Sequence, residues 1–373
     1  MADTDRDLLP EGLEDRLPDS AACANRVTRA LMDVMDSHGY DRVQTPTIEF
    51  EKSMASRMAG VQPRRMFRFV DPASLRMMAL RSDITVQVGR MAATSLADAS
   101  RPLRLCYAGQ VLTIKGDGLD PARERLQVGA ELIGTDSVAA AAELVAMGIE
   151  ALQAAGATGI SVDFTLPDLV DTLADKAMPL PPERIEAVRR ELDAKDAGAL
   201  VAEGGAAYLP LLTAIGPFDS AIERLAAIDA GGALSSRISA LRGIAARVSG
   251  MARLTLDPSE RHGFEYQSWL GFTFYAEGVR GTLGRGGTYA ILGAKGGRDE
   301  PAIGFSLFPD PLIDALAPEP KRDTLFLPLD HDPEVAARLR AVGWRTVAAL
   351  GSDCDATALG CTHRLAGSET VSL

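Results

Sequence analysis

The sequence predicts an α+β fold in which an antiparallel sheet is flanked by helices and carries a helical insertion and a small C-terminal α/β appendage. Three observations predict this fold. Residues 103–114 and 126–133 alternate weakly between apolar and polar side chains on either side of a Gly- and Asp-rich loop, which is typical of paired antiparallel strands. Residues 167–250 are rich in Ala and Leu at helical spacing and are interrupted by Pro and Gly pairs. After the linker at residues 318–320, the chain has the pattern of a strand, a helix and a second strand.

The N-terminal part of the chain is predicted to form a helix followed by a strand. Asp19 or Ser20 is a suitable N-cap, Gly39 is a suitable end, and residues 40–46 form the strand. Taken alone, an amphipathic helix before a strand indicates only a core element. The apolar stripe of this helix consists of Ala24, Val27, Leu31, Val34 and Met35.

The rest of the main domain is predicted to alternate between strands and helices. Residues 281–287 are rich in glycine and are predicted to form a turn with positive φ angles. The other predicted elements are a hairpin of residues 66–70 and 77–81, helices at 84–97 and 137–155, strands at 159–166, 252–256 and 264–276, and a closing segment at 302–316.

These elements predict three domains. The main domain comprises residues 1–166 and 251–317, residues 167–250 form the helical insertion, and residues 318–373 form a small C-terminal domain. In this last domain a strand (324–329), a helix (332–342) and a strand (345–350) are predicted before a polar tail.

Composition excludes several functional classes. The net charge of −12 and the pI near 4.9 argue against a nucleic-acid surface, which relies on clustered Lys and Arg. The four cysteines form no Cys-x-x-Cys pair and the four histidines are scattered, so neither a metal site nor a disulfide framework is expected. A polar N-terminus and the lack of a long apolar run predict a cytoplasmic protein without a membrane contact.

Several polar residues are suited to hold a free amino acid. Asp83, Thr85 and Gln127 offer acceptors for an ammonium group, and Glu131 can accept from an imidazole N–H. Gln127 and Glu131 stand four apart on a predicted strand, so that their side chains face the same way, and Arg123, four residues earlier, is suited to a carboxylate. Two alternatives remain open, namely Asp83 as a helix N-cap only, and Gln127 and Glu131 as part of a solvated strand face.

Three segments resemble class II histidyl-tRNA synthetases. Residues 123–134 resemble the second half of motif 2, residues 80–85 resemble the Arg-Pro-Glu-Gly-Thr strand end, and residues 262–266 resemble the histidine-specific Arg-Gly-Leu-Asp-Tyr-Tyr signature. The resemblance implies a class II synthetase-like antiparallel sheet and a pocket that faces histidine. In the histidine-specific segment Tyr266 matches the family, whereas His262 replaces an Arg and Gln267 replaces a second Tyr, and these three complete the expected histidine site.

The arginines that hold ATP in that family are missing. The resemblance places Thr113 at the motif 2 Arg and Lys115 at the motif 2 Glu, while Asp310 and Pro311 stand at the Glu and Arg of motif 3. Adenylate formation requires guanidinium groups against the phosphates, and neither Thr nor Pro supplies one. We therefore expect no catalysis, no catalytic residues and no cofactor.

We also expect no anticodon-binding domain, because the C-terminal appendage is too short and too poorly charged to be one. A synthetase-like core of this kind is similar to the regulatory subunits of hetero-oligomeric ATP phosphoribosyltransferase. This resemblance implies a homodimer that joins short-form catalytic subunits in the first step of histidine biosynthesis. It also implies L-histidine as the feedback effector. The alternatives are a working histidyl-tRNA synthetase, or a synthetase-like enzyme that modifies a protein or a small molecule through an adenylate.

Overall fold

The structure is a computed structural model, and it describes residues 9–55, 66–116, 121–261, 267–293, 298–317 and 322–373. The chain divides into two units, Met1–Leu316 and Ala317–Leu373. Within the described ranges, no helix has the length and apolar character needed to cross a membrane.

A nine-stranded sheet forms the centre of the first unit. Its strands are β1 (Asp41–Arg42), β5 (Leu103–Leu112), β6 (Glu124–Ile133), β7 (Ser161–Thr165), β8 (Gly216–Pro217), β9 (Arg253–Leu256), β10 (Gln267–Tyr275), β11 (Gly284–Ile291) and β12 (Glu300–Leu307). Their order is β1-β5-β6-β12-β11-β10-β7-β9-β8. The β1–β5 and β7–β9 pairs are parallel, and the pairs between them are antiparallel. The predicted α+β fold with an antiparallel sheet is confirmed, and so is the pairing of β5 with β6.

Two long helices cover one face of this sheet. Helix α1 (Pro18–Ser37) packs on α4 (Val138–Ala154), and Leu31 and Met35 of α1 are fully buried between α4 and the sheet. The predicted N-cap of α1 at Asp19 or Ser20 is wrong. The helix begins instead at Pro18, whose fixed φ and missing N–H suit a first helical turn.

Helix α4 follows its prediction closely. Ser137 is the N-cap and accepts a hydrogen bond from the Ala140 N–H at 3.3 Å, and the helix ends before Gly156, which has a φ of +100°. Gly148 allows the helix to lie directly on the sheet, because a Cβ there would approach the Phe274 ring to 2.4 Å.

The opposite face of the sheet carries α3 (Thr85–Ala93) and a small sheet of three strands, β2 (Ile48–Phe50), β4 (Met77–Leu80) and β3 (Arg68–Val70). A short helix, α2 (Glu51–Ala55), follows β2. The predicted hairpin of residues 66–70 and 77–81 is confirmed by the antiparallel pairing of β3 with β4. Helix α3 ends four residues before its predicted end.

The predicted strand at residues 40–46 is reduced to the two residues of β1. Side chains, not a neighbouring strand, satisfy the later carbonyl groups of this segment. Arg81 donates to the Thr45 carbonyl at 3.0 Å, and Gln87 donates to the Pro46 carbonyl at 2.8 Å. The backbone of this segment therefore needs no strand partner.

The segment 167–250 is helical apart from β8, which adds a short strand to the central sheet. Its buried side chains, such as Leu192, Leu211 and Leu241, belong to the same hydrophobic core as those of the sheet. Its helices are α5 (Leu169–Lys176), α6 (Pro182–Asp193), α7 (Ala197–Ala202), α8 (Phe218–Ile228) and α9 (Ser235–Arg247). Downstream of β12, helix α10 (Asp310–Ala315) closes the unit.

The glycine-rich turn predicted at residues 281–287 is wrong for most of its length. Residues 284–291 form β11 in the middle of the sheet, and a positive φ is found at Gly281 (+78°). The strand glycines serve close packing: a Cβ at Gly286 would meet the Phe272 ring at 2.3 Å, and one at Gly287 would meet the Leu270 carbonyl at 2.4 Å.

The second unit consists of a four-stranded sheet and one helix. The strands of this sheet lie in the order β14-β13-β15-β16. The predicted polar tail is wrong, because its residues form the antiparallel hairpin β15–β16 with Gly367 (φ +63°) in the turn. The elements are β13 (Thr324–Leu327), α11 (Pro333–Ala341), β14 (Arg345–Ala348), β15 (His363–Ala366) and β16 (Glu369–Ser372).

Candidate ligand-binding site

A row of glycines crosses the central sheet beside Glu131. Gly304 of β12 lies opposite Glu131 of β6, Gly287 of β11 lies opposite Gly304, and Gly271 of β10 lies opposite Gly287. Directly opposed residues of antiparallel strands point to the same face of a sheet, so these three glycines form a floor without side chains. Side chains on either side of this floor line a pocket on the face of the sheet that carries α3.

Glu131 is the buried acid of this pocket. Its side chain is fully buried and its two carboxylate oxygens accept hydrogen bonds from the Tyr107 hydroxyl at 3.0 Å and the Tyr289 hydroxyl at 2.7 Å. Burial raises the pKa of Glu131 to about 8, against the opposing effect of hydroxyl groups that include Tyr289 and Thr85. Glu131 is therefore poised between its neutral and ionised forms near neutral pH.

The Gln127 amide is fixed on three sides. Its Nε2 donates to the Asp83 carboxylate at 2.8 Å and to the Ser306 hydroxyl at 2.7 Å, and its Oε1 accepts from the Ile84 N–H at 2.9 Å. Asp83 also accepts from the Thr85 N–H at 3.0 Å at the start of α3. The same carboxylate thus supports the helix start and takes part in the pocket network.

Three hydroxyl groups join Gln127 to Glu131. Tyr107 lies 2.9 Å from the Thr85 hydroxyl and 3.1 Å from the Ser306 hydroxyl, measured between oxygens. Gly129 leaves room for this cluster, because a Cβ at that position would approach the Tyr107 hydroxyl to 2.4 Å. All three hydroxyl-bearing residues are buried, so that the network is shielded from water.

The pocket is filled by its own side chains in this structure. Gln267 lies over the glycine floor and donates to the Gly286 carbonyl at 2.8 Å, and Arg285 lines the same space. The free volume that remains is about 10 Å³, which is about the room that one water molecule requires. An amino acid would therefore have to displace at least one of these side chains.

Of the sequence-predicted site residues, the structure brings five together and places a sixth elsewhere. The five are Asp83, Thr85, Gln127, Glu131 and Gln267. Arg123 stands one residue before β6, donates to the Glu11 carbonyl at 3.1 Å, and lies 4.9 Å from the centre of the Phe67 ring. The remaining two, His262 and Tyr266, lie outside the described residues.

Sequence reasoning missed four residues of the pocket: Tyr107, Tyr289, Ser306 and Arg285. The missing signal was the strand register, because residues from 22 to about 200 positions apart meet only when β5, β6, β12 and β11 are aligned.

The residues that the resemblance places at the ATP-binding positions have local structural contacts in this chain. Pro311 lies in the first turn of α10, and the Thr113 hydroxyl donates to the Lys115 carbonyl at 2.9 Å. Asp310 accepts from the Leu126 N–H at 3.0 Å and forms an ion pair with Arg16. Burial raises the pKa of Asp310, which the Arg16 guanidinium opposes. Asp310 thus ties the N-terminal segment to β6.

Metal ligation was not expected from the sequence. In the part of the chain that the structure describes, no cluster of three or more His, Cys, Asp or Glu side chains is arranged to hold a metal ion.

Comparisons with known proteins agree with this architecture. Residues 12–312 match the family model for histidyl-tRNA synthetase. In solved structures, the chain is similar to an ATP phosphoribosyltransferase regulatory subunit/histidyl-tRNA synthetase from Bacillus halodurans (TM-score 0.82, 23% identity, covering 96% of this chain and 97% of the other). It is also similar to histidyl-tRNA synthetase from Nostoc (TM-score 0.78, 17% identity, covering 96% and 91%). At these identities the two structures bear on the fold alone.

The sequence relatives are closer. An ATP phosphoribosyltransferase regulatory subunit from Rhodospirillum centenum is 42% identical over 370 residues, which cover 96% of this chain and 95% of the relative. A protein of the same name from Gluconobacter oxydans is 37% identical over 95% and 94% of the two chains. The chain therefore belongs to the histidyl-tRNA synthetase-like family and, within it, to the ATP phosphoribosyltransferase regulatory subunits.

Proposed function

We propose that this chain is a non-catalytic subunit that activates a short-form ATP phosphoribosyltransferase catalytic subunit and makes it sensitive to inhibition by L-histidine. One observation carries the proposal. Residues that the sequence predicts for an amino-acid pocket form a buried network around Gln127 and Glu131, while Thr113 and Pro311 stand at the positions that the resemblance assigns to the ATP-binding arginines. A chain that retains the pocket without the chemistry is suited to sensing an amino acid.

The pocket matches the charges of histidine. Asp83 and the hydroxyls of Thr85 and Ser306 offer acceptors for the ammonium group, and Glu131 offers one for an imidazole N–H. The ammonium group at Asp83 would also favour the ionised form of Glu131, because Asp83 and Glu131 are close enough to interact and opposite charges stabilise each other. Histidine binding should therefore release a proton from Glu131 near neutral pH.

Occupancy of the pocket supplies a two-state element. Because the free volume is about 10 Å³, histidine has to move the Gln267 amide away from the Gly286 carbonyl. The filled and the opened pocket then differ in the position of the Gln267 side chain, which in the filled pocket ties β10 to the Gly286 carbonyl of β11. Histidine regulates the complex if the catalytic subunit prefers one of them, with a coupling of roughly 1–3 kcal/mol.

In this proposal the chain acts as a homodimer within the larger complex. Helix α1 and strand β1 resemble motif 1, the helix–strand unit that forms the dimer interface in class II synthetases. They supply the contact in this proposal, each protomer offering the same patch. The catalytic chemistry belongs to the partner subunit.

The experiment is histidine inhibition of the reconstituted complex. Glu131→Gln and Asp83→Asn each remove the carboxylate charge and replace one of its two acceptor oxygens by a donor, which costs roughly 1–3 kcal/mol and weakens inhibition about five- to a hundred-fold. Glu223→Gln is the matched control, because Glu223 lies exposed on α8 and forms a surface ion pair with Arg242. Normal inhibition in both pocket variants would place histidine sensing outside this pocket.

A further inference from the structure

Arg285 is the only cationic side chain among the described residues that line the pocket. It lies on β11 directly opposite Ser306 of β12, on the same face of the sheet as Tyr289. Its Nε–H is buried and has no hydrogen-bond partner within the described part of the chain. A buried donor without a partner is costly, so this position is suited to an acceptor that the protein itself does not supply.

The charges of the pocket are separated along the sheet. Asp83 and Glu131 are linked to Ser306 through Gln127 and Tyr107, respectively, and Arg285 follows on the next strand beyond Ser306. A ligand that spans this arrangement therefore meets carboxylates at one end and a guanidinium at the other. An α-amino acid presents the complementary pair, an ammonium and a carboxylate. The guanidinium fork matches the carboxylate geometry with two parallel hydrogen bonds.

Arg285 also has acidic and phenolic neighbours on its own face. It lies close enough to Tyr275 to oppose the rise that burial causes in the pKa of that phenol. Asp163 belongs to the same row of the sheet two strands away and accepts from the Thr255 hydroxyl. A purely structural role for Arg285, neutralising this acidic row, is the competing explanation that an experiment has to separate.

We propose that Arg285 binds the carboxylate of the amino-acid effector and makes the pocket select a free amino acid over an analogue without a carboxylate. The inference rests on the proposed function, since it assumes that histidine binds in this pocket.

The test compares two ligands on three proteins by titration calorimetry with the full chain. L-histidine and L-histidinol differ in that a hydroxymethyl group replaces the carboxylate. In the unmodified protein we expect histidine to bind at least about ten-fold more tightly than histidinol, since a charged bidentate contact is lost. Arg285→Gln should weaken histidine binding to about the affinity of histidinol and leave the affinity for histidinol nearly unchanged. Arg253→Gln on β9 is the matched control and should alter neither ligand.

Four outcomes would overturn this role for Arg285, and the last of them would also overturn the proposed sensor. Equal weakening of both ligands in Arg285→Gln would assign the residue to structure only, and an unchanged preference for histidine would remove it from carboxylate binding. If Arg285→Gln does not fold, Arg285→Lys keeps the positive charge but lacks the two-pronged guanidinium group. It should reduce the preference for histidine over histidinol, and a preference kept in full would overturn the role of Arg285. A native protein that binds no histidine would overturn both this inference and the proposed pocket sensor.

Discussion

Replacing Glu131 by Gln should make the protein more stable at alkaline pH than the native chain. The carboxyl is fully buried, and burial raises its pKa from the ordinary 4.5 to about 8. In the unfolded chain the same carboxyl ionises near its ordinary pKa. Its contribution to stability is therefore fully present below pH 4.5 and is lost as the pH rises towards 8.

The magnitude follows from the two pKa values. Each pH unit over which the folded and unfolded states differ by one proton changes the free energy of unfolding by about 1.4 kcal/mol. Between pH 5 and pH 8.5 the native chain should lose about 4 kcal/mol that Glu131→Gln does not lose. Gln has nearly the same shape and can still accept a hydrogen bond from a tyrosine hydroxyl, so the difference between the two pH values isolates the titration.

The assay is urea-induced unfolding of the first unit at both pH values, with Glu223→Gln as the exposed control. We expect the stability of Glu131→Gln relative to the native chain to rise by about 4 kcal/mol from pH 5 to pH 8.5, while the control changes by less than about 0.5 kcal/mol. A relative stability that is the same at both pH values would refute the reasoning, because it would mean that Glu131 ionises at its ordinary pKa in the folded protein.

Three further predictions concern chemistry, assembly and packing. With Thr113 and Pro311 at the ATP positions, the purified chain should show no histidine-dependent pyrophosphate exchange above background, and clear exchange would contradict the non-catalytic role. Light scattering at micromolar concentration should show a homodimer, and a monomer would count against a contact through α1 and β1. Gly304→Ala should destabilise the first unit by about 2 kcal/mol or more in thermal unfolding, because a Cβ there would lie 1.7 Å from a Glu131 carboxylate oxygen. Gly198→Ala in α7, where a Cβ would lie 3.5 Å from the Asp196 carboxylate, should instead be neutral or stabilising, and equal losses in both variants would refute this packing argument.

Local patterns predicted the elements whose side chains repeat regularly. The β5–β6 pair was predicted from alternation, and the four-residue spacing of Gln127 and Glu131 placed both on one face, where both are fully buried. Helix α4 was predicted from its apolar spacing, with Ser137 and Gly156 marking its ends. Such features depend on neighbours in the sequence, which a single chain reveals.

Features that depend on distant contacts could not be predicted in the same way. Gly286 and Gly287 suggested a turn because glycine tolerates positive φ, whereas their actual role is to admit Phe272 and the Leu270 backbone on the neighbouring strand. The hairpin β15–β16 escaped prediction because most of its residues are exposed and do not alternate in burial. Arg123 has the spacing of a pocket residue, but its contacts run to the N-terminal segment.

The candidate site shows the same division. Asp83, Gln127 and Glu131 could be predicted from spacing and chemistry, whereas the tyrosines that hold Glu131 come from strands on either side of it. Tyr107 and Tyr289 reach the carboxylate from β5 and β11, and only the register of the whole sheet brings them together.

The central claim is that this chain regulates a partner enzyme and does not catalyse a reaction itself. The most direct measurement is the rate at which a short-form ATP phosphoribosyltransferase catalytic subunit from the same genome forms phosphoribosyl-ATP, alone and with this chain, with and without L-histidine. We expect activity to rise clearly above that of the catalytic subunit alone when this chain is added, and to fall again when histidine is added to the complex. The account would be contradicted if adding this chain left the rate unchanged and the two proteins did not co-purify.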